Sequence, residues 1–153
     1  MKELNNHSLY MDLALEQARI AYSLGEVPVG CVIVRDSQII GAAHNQVEND
    51  KLPTAHAECL AIARATASIS NWRLEGATCY VTLEPCPMCI SALGLARIDT
   101  VVFGCNDYKM GACGSVFDLS SHSELPFSIK VISGVKAEES LELLQRFFAS
   151  IRI

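Results

Sequence analysis

Ala77-Thr-Cys-Tyr-Val-Thr-Leu-Glu-Pro-Cys-Pro-Met-Cys89, continued by a helical stretch to Ala96 and then by Thr100-Val-Val-Phe-Gly104, decides the fold. Residues 77–83 have the β-branched and aromatic content of a buried strand. Pro85 bars any earlier helical start, so the helix opens at Cys86 or Pro87. A strand, a helix and a second strand in that order predict a parallel pair joined by a right-handed crossover.

Working outward, Ser8 reads as an N-cap for a helix of about four turns. Leu9, Leu13, Ala14, Ala18, Ala21 and Leu24 lie on one face of it, and Gly25 falls just past its end. Val29–Val34 and Gln38–Ala43, joined by Arg35-Asp-Ser37, predict an antiparallel hairpin with Asn45 at its far end. A polar loop follows from Gln46 to Pro53. Pro53-Thr54 then marks the entry to a helix reaching Ile69, with His56 and Glu58 in its first turn. Downstream, residues 105–126 are rich in Gly and Ser, with room for one short helix near Val116 to Leu119, and so long a loop in a compact domain is often functional. Ile129–Ser133 gives a fifth strand and Glu138–Ile151 a terminal amphipathic helix. The expected architecture is a three-layer α/β/α domain spanning residues 1–153, its five-stranded mixed sheet formed by a hairpin feeding a mostly parallel part.

The chain has 153 residues, half of them hydrophobic, which suffices for one ample core. No apolar run reaches membrane-spanning length, so no membrane partner is expected. The polar start, Met1 to Ser8, does not read as a signal peptide. Seven cysteines without an export signal point to reduced thiols, metal ligation and a cytoplasmic setting. A net charge of −5 argues against the whole surface as a partner for a phosphate backbone. Arg64, Arg73, Arg97, Lys109, Arg146 and Arg152 each read as ordinary solvated charges, and any nucleic-acid contact needs a local patch.

The chemistry lies in two segments, Thr54-Ala-His56-Ala-Glu58 and Leu83-Glu-Pro-Cys86-Pro-Met-Cys89. Cys86 and Cys89, three apart at a helix start, project from one face and can grip one ion. Helix N–H groups and the ion's charge both favour their thiolates. His56 would add a third ligand and leave a tetrahedral position open, the mark of catalytic rather than structural zinc. In a regular helix i and i+2 point apart, so Glu58 is no second ligand from that face. It can instead exchange protons with water beside the ion. Taken singly, a CxxC pair reads equally as a redox couple or half a structural site, and the His as a cap or core residue. Cys31 and Cys79 in strands and Cys59 in the site helix read as apolar packing. Cys105 and Cys113 acquire no role.

His-x-Glu joined to Pro-Cys-x-x-Cys is the known signature of zinc nucleobase deaminases, so this match is recognition of a motif. Beyond it, Glu26-Val-Pro-Val-Gly30, Asn45, Pro53–Glu58, Tyr80–Cys89, Arg97-Ile98, Val101–Gly104, Gly111–Ser115 and Arg146-Phe-Phe148 closely resemble the bacterial tRNA-specific adenosine deaminases. The similarity runs from about Leu9 to Phe148. The resemblance implies a cytidine-deaminase-like fold, a homodimer, one Zn2+ per chain and conversion of the wobble adenosine in the anticodon arm of tRNA to inosine. It implies His56, Cys86 and Cys89 as zinc ligands and Glu58 as the proton shuttle for attack of zinc-activated water on adenine C6. By the same resemblance Asn45 contacts the flipped nucleoside, and Asp107 and Lys109 lie in an RNA-contacting loop. Asn45 reads equally as a strand-end turn residue, and Phe148 as core filling.

The chain departs from that pattern in two places. An Asn-His-Arg segment frequent in the family aligns with Pro126, Phe127 and Ser128, and the only late cation before Ile153 is Arg152. Fewer phosphate contacts predict weaker tRNA binding. Two alternatives share the zinc motifs: a deaminase of free guanine, cytosine or a nucleoside, and a non-catalytic zinc-stabilised binding subunit. The acidic balance leans to the first, the Gly104 to Ser115 loop to tRNA. Glu58 speaks against the second, since a structural site has no use for it.

Overall fold

The computed structural model describes the backbone of residues 2–151 and the side chains of residues 6–151. Five strands form one sheet in the order β2-β1-β3-β4-β5. They are β1 (Gly30–Arg35), β2 (Gln38–His44), β3 (Thr78–Leu83), β4 (Thr100–Cys105) and β5 (Lys130–Ile132). The helices are α1 (Lys2–Ser23), α2 (Val47–Asp50), α3 (Ala57–Ile69), α4 (Pro87–Leu95) and α5 (Ala137–Ile151). β1 runs antiparallel to both β2 and β3, whereas β3–β4 and β4–β5 are parallel. Half the pairings are thus antiparallel, a larger share than the sequence suggests, because the chain leaving β2 crosses β1 through α3 before entering β3. The β3–α4–β4 unit has the parallel register expected of it, with Cys79 opposite Val101 and Val81 opposite Phe103.

Strand alternation assigns the two faces. Cys31, Ile33, Cys79, Val81, Val101 and Phe103 pack with Ala57, Ala61 and Ala65 of α3 and Ile90 and Leu93 of α4. Val32, Val34, Tyr80 and Val102 face Met11 and Ala14 of α1. Helix α1 lies close because its buried stripe is Ala14, Ala18 and Ala21 and because β1 opens on a glycine. Any Cβ at Gly30 would strike the Ala14 carbonyl oxygen. The two-residue hairpin turn places Asp36 and Ser37 at φ of 52° and 62°, the twist that closes adjacent antiparallel strands.

Several boundaries differ from the sequence reading. α1 begins at Lys2, so Ser8 is interior to the helix rather than its cap. The ring of His7 holds this extra length against the sheet, its Nδ1 2.8 Å from the Tyr80 hydroxyl. The loop after Asn45 contains the one-turn helix α2, too short for any periodic signal. α3 starts at Ala57, not at Pro53-Thr54, and His56 is its N-cap. Residues 116–119 form no helix. There the chain doubles back, Gly114 N–H donating to Phe117 O at 2.8 Å and Leu119 N–H to Ala112 O at 2.9 Å. Phe148 is 42% exposed, and it is Phe147 that fills the core, one step round the helix. Several cations are engaged by neighbours rather than simply solvated. Arg64 donates to the Ala42 carbonyl at 2.6 Å, Arg73 and Arg97 lie 4.9 and 5.9 Å from the Trp72 ring centroid, and Arg146 lies over Tyr22. Arg152 is outside the described residues. Among the described residues no helix is long and apolar enough to cross a membrane.

Candidate active site

The N-termini of α3 and α4 meet at one end of the strands, beside the end of β3 and the start of β1. Two extended residues bring them into register. His56 has φ, ψ of −77°, 151° and Cys86 has −77°, 172°, so each is an N-cap whose carbonyl accepts the first helical hydrogen bond. Leu60 N–H reaches His56 O at 3.1 Å and Ile90 N–H reaches Cys86 O at 3.0 Å. Neither side chain caps its own helix, which leaves both free to face each other. Pro87 at the first helical position suits this, since the donor it lacks would be unpaired there anyway.

His56 Nδ1 lies 3.7 Å from Cys86 Sγ and 3.5 Å from Cys89 Sγ. A tetrahedral ion bonded at about 2.0–2.1 Å to nitrogen and about 2.3 Å to sulfur separates those ligand atoms by about 3.6 Å. The three side chains therefore have the chemistry and the edge lengths of a zinc ligand set, all three donor atoms lying within 4.8 Å of one another. Contact with Cys89, and then with His56, pulls the Cys86 thiol down to about 4. Its neighbours Cys59 and Cys86, with burial, push the Cys89 thiol up. Cys59 Sγ stands 3.9 Å from Cys89 Sγ yet is not part of the three-residue cluster.

Glu58 is in the first turn of α3 and only 4% exposed. Because His56 sits outside the helix, the opposition of i and i+2 does not separate them, and both line the same cleft. Burial pushes the Glu58 carboxyl up to about 7, against the pull of its own backbone N–H. It is poised to hold or release a proton near neutral pH.

The cleft has a volume of about 300 Å³, at the small end of ligand sites. Val27, Val29, Leu83 and Met110 give it apolar walls, and Asn45 and Asp107 line it too. Asp107 Oδ1 also accepts the N–H groups of Lys109 and Met110 at 2.9 and 3.2 Å, which folds its own loop. Lys109 is exposed and is not among the lining residues. Three further carboxylates line the cleft without a role in the sequence reading, Glu26, Glu48 and Glu84. Glu26 is fully buried, accepting Glu48 N–H at 3.0 Å, Asn49 N–H at 2.7 Å and the Asn49 side-chain amide, with the Asn45 amide 3.5 Å away. Burial opposes its charge, yet the donors from Asn49 and Glu48 outweigh that and hold the carboxyl below its usual value.

The MafB19-like deaminase family model matches residues 5–152. A tRNA-specific adenosine deaminase of Bacillus subtilis (strain 168) is 44% identical over 149 residues, covering 97% of this chain and 92% of the relative. This chain belongs to the tRNA-specific adenosine deaminase family. Another member, from Aquifex aeolicus (strain VF5), is 46% identical over 143 residues and 94% of each chain. Among solved structures, one from work on A-to-I editing by tRNA:A34 deaminases at the wobble position superposes with a TM-score of 0.85 at 40% identity. It covers 88% of this chain and 97% of its own. A guanine deaminase from Nitrosomonas europaea, 23% identical with a TM-score of 0.75, shares the fold alone. The fold is accordingly the cytidine-deaminase fold anticipated from the sequence, and the protein is a hydrolytic deaminase.

Proposed function

We propose that this deaminase converts adenosine to inosine at the wobble position of tRNA, with Zn2+ held by His56, Cys86 and Cys89 and with Glu58 as the proton shuttle. The observation that carries the reading is the buried Glu58 carboxyl opening into the same cleft as the three-ligand cluster. A binding module has no use for a costly buried acid at that spot. Identity of 40% to a structure described for tRNA:A34 deaminases supports the wobble base as the address.

When bound, zinc supplies a Lewis acid that makes water nucleophilic at neutral pH. The chain's own residues do the rest. Glu58 accepts the proton of the attacking water and delivers it to N1 of the purine as C6 becomes tetrahedral, then takes the proton of the new C6 hydroxyl and passes it to the amino group as the C6–N bond breaks. Water and adenosine are consumed, and inosine and ammonia leave. Val27, Val29, Leu83 and Met110 enclose the flipped base and limit competing water, while Asn45 and Asp107 orient it through their polar atoms. Lys109 on the same exposed loop meets the RNA backbone. We propose further that two copies associate, since Tyr108, Met110, Val116 and Phe117 expose apolar surface on that loop. The enzyme acts where its tRNA is, in the cytoplasm.

Incubating zinc-loaded protein with an anticodon stem-loop bearing adenosine at the wobble position tests this. Inosine should accumulate with multiple turnovers. Turnover of free guanine or cytosine with no inosine in the RNA would assign the enzyme to a different substrate class.

A further inference from the structure

Glu84 is left without a task by the chemistry above, although it sits two residues before a proposed zinc ligand. It is 2% exposed. Among the described residues the one ion pair is Lys136–Asp12, so no cation neutralises it. All its partners come from one loop. Oε1 accepts Asp107 N–H at 3.0 Å and the Ser115 hydroxyl, while Oε2 accepts Cys113 N–H at 3.0 Å and Ser115 N–H at 3.1 Å. Two backbone bonds reinforce the attachment, Glu84 N–H to Cys105 O at 2.9 Å and Ala112 N–H to Pro85 O at 2.8 Å. Gly111 closes over the carboxylate. A Cβ there would lie 2.6 Å from Oε1 and would also strike the Asp107 carbonyl oxygen. Residues 107–115 therefore wrap this side chain as a nest of N–H groups wraps an anion.

We infer that Glu84 is a positioning residue that mounts the substrate-facing Asp107 loop on the turn carrying Cys86, so that RNA contacts and chemistry keep one geometry. The inference rests on the proposed reading in that the loop meets RNA. His56, Glu58, Cys86 and Cys89 belong to α3, α4 and their N-caps, so disturbing the carboxylate loosens the loop and leaves the ligand cluster in place. Glutamine keeps one acceptor oxygen and sets an NH2 against facing donors, whereas alanine leaves three amides with no acceptor.

Zinc-loaded wild type, Glu84→Gln, Glu84→Ala and Gly111→Ala are compared by zinc content, by hydrogen exchange of peptides 105–116 and 86–96, and by kinetics on the stem-loop. Exchange in 105–116 should rise about tenfold or more in the variants, with 86–96 and zinc content as in wild type. KM for the RNA should rise about tenfold while kcat changes less than roughly threefold, alanine exceeding glutamine. Gly111→Ala should reproduce the effect with Glu84 still present. Unchanged exchange in 105–116, or loss of zinc in step with it, overturns the inference. If wild type does not turn over the RNA, the functional reading falls, and the exchange comparison still decides the role of Glu84. If Glu84→Ala does not fold, the glutamine and Gly111 variants decide it.

Discussion

Glu58 and Glu26 are buried carboxylates on one cleft, and their surroundings drive them in opposite directions. Burial dominates at Glu58 and raises it to about 7, the condition for a group that both takes and gives a proton. Glu58→Gln should keep its zinc and fold but lose about 10²–10⁴ in single-turnover deamination rate. An unchanged rate would remove the residue from the mechanism. At Glu26 the amide donors win, and the depressed pKa makes it a stabilising anion. Its contribution is fully present above the ordinary value of 4.5 and is lost as pH falls through the lower folded value. Glu26→Gln should therefore be less stable by about 2 kcal/mol in urea unfolding at pH 7, the gap narrowing below pH 4.5. A gap independent of pH would mean that packing, not charge, sets the loss. These carboxylates also show why part of the site was illegible. His56, Glu58, Cys86 and Cys89 announce themselves by residue type and spacing. Glu26 and Glu84 act on backbone N–H groups, which every residue carries and no pattern marks. The one signal is an acid next to an apolar residue in an otherwise apolar stretch, Leu83 beside Glu84 and Val27 beside Glu26.

The elements that matter most are the two helix starts. Both N-caps are extended residues with no capping side chain, so a metal ion joining His56 to Cys86 and Cys89 would tie α3 to α4. Zinc removal by a chelator should lower Tm by several degrees and its return should restore it. Because the Cys89 thiol is pushed up in the metal-free chain, uptake should release protons. Calorimetry in buffers of different ionisation enthalpy reads that release directly, and a heat independent of buffer would contradict it. Element by element, β3, α4 and β4 were readable because their apolar content, Pro85 and the change of period agree. Pro53-Thr54 looks like a helix entry, whereas α3 starts at Ala57 after an extended His56 whose ring lies against Cys86 and Cys89. Helix α2 has four residues and no period to detect. The expected helix at 116–119 is absent because Gly111, Ala112 and Phe117 supply carbonyls that compete with helical partners.

At the scale of the whole molecule, every proposed catalytic and ligand residue lies at one end of the strands of a sheet whose order, β2-β1-β3-β4-β5, brings the start of β1 beside the end of β3. That architecture follows from local patterns, but the substrate does not. The net charge of −5 says nothing in favour of RNA, and Arg73 and Arg97 are occupied with Trp72. What names the substrate is similarity across nearly the full chain, together with a loop that presents Asp107 to the cleft. If exposed cations such as Lys109 meet phosphates, affinity for tRNA should fall measurably between low and physiological salt, and a flat plot of log affinity against log salt would exclude phosphate contacts. The central claim is met most directly by nucleoside analysis of a full-length tRNA with adenosine at the wobble position, incubated with zinc-loaded wild type and with Glu58→Ala. The account predicts inosine at that position alone, formed by wild type and absent with the variant. Equal inosine from both proteins, or none from wild type while free guanine or cytosine is deaminated, would contradict it.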